Sequence, residues 1–193
     1  MRTAILKDLK IARESQRVIG VWRKRVDNHV IRGVVLDSTP DLVLLHVLDD
    51  GIRLDGYSVI RIKDITRLDV LLPRADLYHE ALRLRRQRPR NPRSVVLSDL
   101  TAVIISAGNA YPLVTLHPER KKPGICWIGH PLYVEKRDLV LAYITPGATW
   151  DGEHRCRLAD ITKVDFNGAY DAQSWDLIDT MAYFPAPVQS WPD

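Results

Sequence analysis

The sequence contains no hydrophobic run that approaches the roughly 20 apolar residues of a membrane-spanning helix. Residues 1–17 carry charges throughout and include no apolar segment of signal-peptide length. Cysteine is also scarce, since Cys126 and Cys156 are the only two, and this number excludes a disulfide framework. From these absences we expect a cytoplasmic protein without a membrane partner.

Motifs of catalysis and of phosphate binding are missing as well. The ten glycines are scattered singly at turns and bends, so no glycine-rich phosphate loop is present. Cys126 and His130 could be imagined as a thiolate and its base, but nothing near them marks an oxyanion hole or a nucleophile elbow. We therefore predict that the protein is not an enzyme and needs no cofactor.

What the sequence does contain is a nine-residue phrase that occurs twice. The phrase RIKDITRLD at residues 61–69 returns as RLADITKVD at 157–165, an offset of 96 positions. Upstream, residues 41–45 correspond to 138–142, with a register that slips by one residue. Self-similarity at a fixed spacing indicates repeated structural units.

Segments rich in Val, Ile and aromatic residues, separated by turn signals, predict five strands in each half of the chain. In the first half the predicted strands are 18–26, 30–36, 42–48, 52–62 and 66–71. In the second half they are 113–119, 125–133, 138–144, 149–158 and 163–166. Gly56 interrupts the long fourth strand and predicts a bend there, and Gly152 stands near the corresponding place.

Helical periodicity predicts four helices around these strands. They are 4–13, 75–86, a helix that Ser98 caps and Gly108-Asn109 ends, and 170–181. In the second helix Leu77, Ala81 and Leu84 form one apolar stripe, with Tyr78 and Leu82 beside it. Pro89 and Pro92 make residues 87–93 an extended linker, so we predict domains at 1–90 and 91–193.

A helix followed by five short strands, with a bend in the fourth, resembles the layout of Sm-like and SH3-like small barrels. The resemblance implies a mainly β protein of two tandem five-stranded Sm/SH3-like barrels, each closed and each followed by an α-helix. The Ile-Arg-Gly turn by which Sm proteins bind RNA is absent, and residues 59–64 read VIRIKD instead. RNA binding is therefore not implied.

The whole chain also resembles a widespread group of uncharacterised bacterial proteins with two such repeats. The shared phrases are LLH at 44–46, LDGY at 54–57, YPLVTLH at 111–117 and DITKVDF at 160–166. This resemblance covers nearly all of the chain but implies no activity.

Two cysteines and two histidines at 126, 130, 154 and 156 could bind zinc tetrahedrally. Alternate residues of a strand face opposite sides of the sheet. Cys156 aligns with Ile60 and is expected to point into its barrel, whereas Cys126 aligns with Val30 and is expected to point outward. Because the two pairs diverge, we predict that no metal binds.

Asp64 and Asp160 occupy the same place in the two copies of the phrase. Each could bind a cation or a partner, or could accept backbone N–H bonds in a tight turn between strands. Their repetition favours the structural interpretation, since duplicated scaffolds repeat turns more readily than sites.

The best functional candidate is a basic segment. Seven arginines against Asp76 and Glu80 give residues 74–93 a charge of +5, although the whole chain carries only +4. The candidate binding residues are Arg83, Arg85, Arg86, Arg88, Arg90 and Arg93. We predict a non-catalytic interaction protein, such as an immunity protein or an adaptor, that binds another protein. The alternatives are RNA or DNA binding through residues 83–93 and a merely solvated helix end.

Overall fold

A computed structural model describes residues 2–73 and 75–178 of the 193-residue chain. The chain divides into two compact units, with the boundary between Pro92 and Arg93. Strands outnumber helices in both units, which confirms the predicted mainly β class. None of the helices in the described ranges is long and apolar enough to cross a membrane.

The first unit is one helix, five antiparallel strands and a second helix. Its elements are α1 (Arg2–Ser15), β1 (Val18–Arg23), β2 (Asp27–Ser38), β3 (Leu42–Leu48), β4 (Leu54–Arg61), β5 (Arg67–Asp69) and α2 (Ala75–Leu84). A 3-10 turn, Ile62–Asp64, connects β4 to β5. The strands lie in the order β5-β1-β2-β3-β4, so the last strand pairs with the first.

The second unit repeats this plan. Its elements are α3 (Leu100–Ala110), β6 (Val114–His117), β7 (Trp127–Glu135), β8 (Asp138–Ile144), β9 (Trp150–Arg157), β10 (Lys163–Phe166) and α4 (Ala169–Leu177). A 3-10 turn, Leu158–Asp160, again precedes the last strand. The order β10-β6-β7-β8-β9 is that of the first unit.

All ten predicted strands are found, and their ends lie within three residues of the predicted ends. The expectation of closed barrels is not met, because within the described residues no ladder joins the fourth and fifth strands of either unit. The fifth strands contain only three and four residues, so they offer few backbone groups for a second ladder.

The duplication extends to the irregularities of the backbone. The second strand shifts register between Val35 and Asp37 in one unit and between Pro131 and Tyr133 in the other, 96 positions later. Gly56 and Gly152 both adopt left-handed conformations, with φ of 71° and 72°. A bulge or a left-handed glycine bends a strand, so the two sheets bend at equivalent places.

The offset between the two repeats changes by one residue, but not at residues 41–45 and 138–142, where the sequence had indicated the change. Val43 pairs with Ile60 and Leu139 pairs with Cys156, which keeps the offset at 96 through the third and fourth strands. The slip lies instead between the first and second strands, where Ile19 and Val114, 95 positions apart, pair with Gly33 and Gly129. Identical letters in the two Asp-Leu-Val segments had suggested the wrong register.

The repeated phrase ties the last strand of each unit to the first. Thr66 donates from its backbone N–H and its hydroxyl to the Trp22 carbonyl, at 2.8 and 3.0 Å. Thr162 does the same to the His117 carbonyl, at 2.9 and 2.8 Å. The phrase therefore has a structural role that each unit needs.

Helices α1 and α3 pack one apolar stripe each on their sheets. The buried residues are Ile5, Leu9 and Ala12 in α1, and Leu100, Val103, Ile104, Ala107 and Gly108 in α3. The cap of α3 is Asp99 and not Ser98, since Asp99 accepts the Ala102 N–H at 2.9 Å. Gly108 does not end the helix. It lies against the Pro131 ring, where a Cβ would come within 2.7 Å, so it serves close packing.

Helix α4 begins one residue before the predicted start, and Asp171 in its first turn is buried. The predicted helix extends to residue 181, and its last three positions lie outside the described residues.

Candidate macromolecule-binding surface

Helix α2 packs on the first unit through Tyr78 and Leu82, which contact a buried cluster that contains Val18 and Val34. Leu82 is only 5% exposed. Because Tyr78 and Leu82 lie one turn apart, they occupy the side of the helix that faces β1 and β2.

The neighbouring apolar stripe of α2 points away from this contact. Leu77 is 51% exposed and Leu84 is 68% exposed, seven residues further along the same side of the helix. The sequence did not reveal which of the two adjacent stripes packs. The result is an apolar strip at the surface, beside the arginines.

The C-terminal end of α2 is held firmly. Arg86 adopts a left-handed conformation with φ of 55°, and the Gln87 N–H donates to the Leu82 carbonyl at 2.9 Å. This arrangement closes the last helical turn. The Gln87 side-chain oxygen also accepts the Leu54 N–H at 3.1 Å, which joins the helix end to β4.

All six predicted arginines are exposed. Arg83 forms a two-pronged pair with Glu80, at 2.6 and 2.8 Å, and this hydrogen bonding holds the pKa of Glu80 below its usual value. Of the six, Arg83 alone has a carboxylate within ion-pair distance in the part of the chain that the structure describes. The other five guanidinium groups have no carboxylate partner in the described residues, although that of Arg85 donates to the Ala81 carbonyl at 3.3 Å.

The chain beyond α2 is extended and is fixed at one point to β3. The Arg90 N–H lies 3.3 Å from Nδ1 of His46, whose ring stacks on Tyr57 with 4.7 Å between centroids. Burial lowers the pKa of His46 to about 4, although Asp55 opposes the shift. The imidazole is therefore neutral at pH 7 and accepts the Arg90 hydrogen bond.

A surface cavity of about 500 Å³ lies between this extended segment and the C-terminal half of α1. Its lining includes Lys10, Arg13, Glu14, Leu36, Pro89 and Asn91. Arg93 belongs to the second unit, where its N–H donates to the Tyr111 hydroxyl at 3.0 Å. The structure thus places Arg83 to Arg90 on the first unit, and Arg93 at the start of the second.

The four residues considered as zinc ligands do not form one site. Cys156 in β9 is buried, as the strand alternation predicted, and Cys126 is exposed but lies just before β7, outside the strand in which it was predicted. Burial raises the pKa of Cys156 to about 12, so its thiol stays protonated at neutral pH. Within residues 2–73 and 75–178, no group of three His, Cys, Asp or Glu side chains could hold a metal ion.

One cluster of the second unit was not anticipated. The His154 ring lies between Trp127 and Tyr143, with centroid distances of 4.6 and 5.5 Å, and the Lys122 ammonium lies 5.3 Å from the Trp127 centroid. These residues come from three strands and a loop, so their proximity depends on register. A comparison of the two repeats position by position would have revealed them.

No known protein family, curated protein or solved structure matches the chain. A functional interpretation must therefore come from the surfaces of the two units. The α2 surface, which we define as Leu77, Ala81, Leu84, Arg83, Arg85 and Arg86, combines exposed apolar area with three exposed arginines, of which Arg83 is paired with Glu80.

Proposed function

We propose that the protein is a non-catalytic interaction protein whose α2 surface binds another protein. The observation that carries this proposal is the exposure of Leu77 and Leu84 on one side of a helix whose other side is packed. An amphipathic helix normally buries its apolar residues, so a second apolar stripe beside arginines is typical of a contact surface.

The chemistry of the α2 surface indicates the kind of partner. Removing apolar area from water contributes about 25 cal/mol per Å². Phosphate groups cannot provide this contribution, whereas an apolar groove with an acidic rim can accept both the leucines and Arg85 and Arg86. Apolar centres with polar rims are the usual anatomy of protein interfaces, in which arginine is enriched. The target of an immunity protein or the client of an adaptor fits this description.

We also infer that each unit is an open variant of the Sm/SH3-like barrel. The order in which the fifth strand pairs with the first supports this inference, as do the 3-10 turn before the fifth strand and the glycine bend in the fourth. Small barrels of this kind host unrelated functions, so the fold alone does not select one.

The test begins with affinity capture of a partner from a lysate of cells that make the protein, followed by calorimetry with the purified partner. Replacing Leu77→Glu together with Leu84→Glu should weaken binding by about 1000-fold, because anchor residues at interface centres cost ~2 kcal/mol each when lost and ~1.4 kcal/mol is a factor of ten in affinity. The control is Ile11→Glu in α1, which changes a side chain that is 45% exposed and lies outside the α2 surface. Equal affinity of the double variant and the control would refute the proposal.

Nucleic-acid binding through residues 83–93 is the competing outcome. It is tested by polarisation with labelled RNA and DNA between ~50 and ~200 mM salt, where phosphate contacts lose orders of magnitude in affinity. Arg85→Glu with Arg86→Glu should abolish such binding. The control is Lys7→Glu with Arg25→Glu, which makes the same charge change elsewhere on the first unit and should leave binding in place. Tight, salt-sensitive binding that only the first pair abolishes would replace protein binding as the function of this surface.

A further inference from the structure

The two units share one backbone plan, so each serves as a reference for the side chains of the other. At three equivalent positions the first unit has Ile31, Val47 and Ser58, and the second has Trp127, Tyr143 and His154. Strand register establishes the equivalence. Ile31 and Trp127 lie opposite Val21 and Leu116, Val47 and Tyr143 lie opposite the two equivalent glycines, and Ser58 and His154 lie opposite Leu45 and Leu141.

In the first unit Ile31 and Val47 are partly buried and pack against the main core, and Ser58 is buried. Aliphatic and small side chains are thus sufficient for packing at these positions. In the second unit all three rings are only partly buried. The three rings of the second unit are therefore not required by the fold that the two units share.

The loop between β6 and β7 holds a cation above the rings. The Lys121 and Lys122 N–H groups both donate to the Pro118 carbonyl at 2.9 Å, and the Ile125 N–H donates to the Lys122 carbonyl at 3.2 Å. These bonds fix the loop so that the Lys122 ammonium lies over Trp127. An ammonium over an indole is attracted by the negative face of the ring.

The same loop is strongly basic. Arg120, Lys121 and Lys122 are consecutive and exposed, whereas the neighbouring side chain of Glu119 is buried and lies within hydrogen-bond distance of the Thr162 hydroxyl. A run of cations next to aromatic rings is the combination by which proteins bind bases and phosphates together.

His154 adds a polar atom to the cluster. Its Nε2 is buried and has no hydrogen-bond partner in the described part of the chain. Burial, and then Lys122, lower the pKa of His154, so the ring is neutral at pH 7. A buried polar atom without a partner is unfavourable, and a ligand that supplies a hydrogen bond to Nε2 would remove this cost.

We propose that the Trp127 cluster, meaning Trp127, Tyr143, His154 and Lys122, binds a nucleobase that carries a phosphate. The base stacks on Trp127 in the place of the Lys122 ammonium, and the phosphate contacts Lys121 and Lys122. Free nucleotides and single-stranded nucleic acid present the same chemistry, and this site is separate from the α2 surface.

The test is fluorescence polarisation with labelled oligouridine and oligothymidine of about 12 nucleotides, a length within the range of single-strand sites. Competition with UMP and AMP distinguishes the two sources of the ligand. Trp127→Ile with Tyr143→Val introduces the side chains of the first unit and should weaken binding about tenfold or more, as expected when a base loses its aromatic platform. Lys122→Glu, which leaves the packing of the rings in place, should weaken binding as well.

Tyr170→Ala and Lys136→Glu are the matched controls, since both residues are exposed elsewhere in the second unit. Thermal melting verifies that each variant is folded. If UMP or AMP displaces the labelled probe at a nucleotide concentration similar to that of an unlabelled oligonucleotide, the ligand is a free nucleotide. If only oligonucleotides displace the probe, the ligand is a single strand. No binding of any of these probes would overturn the proposal, and so would binding that the Arg85→Glu, Arg86→Glu variant abolishes and the Trp127 and Lys122 variants leave unchanged.

Discussion

The two units keep the same aspartate at the junction of their first and last strands but surround it differently. In the first unit the Trp22 indole donates to Asp69 at 2.8 Å, and Arg67 pairs with Asp69 at 2.6 Å. In the second unit His117 Nε2 and Lys163 Nζ each lie 2.7 Å from Asp165. The carboxylate occupies the same position in both units, whereas the side chains that bind it differ.

The difference changes the electrostatics of the junction. Arg67 is 62% exposed, whereas Lys163 is only 16% exposed. Burial acts to raise the pKa of Asp165, but Lys163 and His117 outweigh it and hold this pKa well below its usual value. Both aspartates are partly buried, so the difference lies in the cation, which is partly buried in the second unit and exposed in the first. Equivalent substitutions in the two units should consequently have unequal effects.

The largest difference is expected at the paired glycines of the second strands. A Cβ on Gly129 would lie 2.1 Å from the Ala142 carbonyl oxygen, and a Cβ on Gly33 would lie 2.7 Å from the His46 carbonyl oxygen. Overpacking against backbone costs ~1–3 kcal/mol or more. We expect Gly129→Ala to destabilise by ~3 kcal/mol and Gly33→Ala by less, as measured by urea denaturation. A larger loss of unfolding free energy for Gly33→Ala than for Gly129→Ala would contradict this prediction.

The two threonines of the repeated phrase should differ by a smaller amount. Thr162 donates its hydroxyl to the His117 carbonyl and contacts buried Glu119, whereas Thr66 donates to the Trp22 carbonyl and accepts the Lys24 N–H at an exposed site. A hydrogen bond to a charged group is worth more than a neutral one. We expect Thr162→Val to cost ~2 kcal/mol and Thr66→Val ~1 kcal/mol in equilibrium unfolding. Equal costs would show that Glu119 does not depend on Thr162.

The smallest predicted effect concerns pH. Burial raises the pKa of Asp171 to about 6, although hydrogen bonds from Thr115 and Gly168 oppose the shift. A carboxyl with a raised pKa binds more protons in the folded than in the unfolded protein, so stability falls as pH rises from about 4, through the folded-state pKa, to about 7. The first unit has Gly20 where the second has Thr115, so it lacks this pair.

Asp171→Asn keeps an oxygen that can accept the Thr115 hydroxyl and removes the titration. Between about pH 5 and pH 7 the wild-type protein should lose ~1 kcal/mol more stability than this variant, as measured by urea denaturation at each pH. The depressed pKa of Asp165 acts at more acidic pH, where its contribution is lost as the carboxyl protonates, so it does not obscure this window. Parallel pH profiles of the two proteins would contradict the prediction.

Local patterns were sufficient to predict the strands, because alternating β-branched residues and turn signals depend on neighbours in sequence. They were not sufficient for α2, where Leu77 and Leu84 form as good a helical stripe as Tyr78 and Leu82. The stripe with Tyr78 and Leu82 packs against the sheet, and this tertiary contact cannot be predicted from the helix sequence alone. The Trp127 cluster was missed for a related reason, since its members are brought together by strand register.

The central claim is that a protein contacts the α2 surface, and photo-crosslinking tests it most directly. A photoreactive phenylalanine analogue at Leu84 should give, on illumination of living cells, one discrete protein adduct. The same analogue at Ile11 should give none, and Arg85→Glu with Arg86→Glu should reduce the Leu84 adduct. Adducts with nucleic acid at Leu84, or no adduct that distinguishes Leu84 from Ile11, would contradict the account.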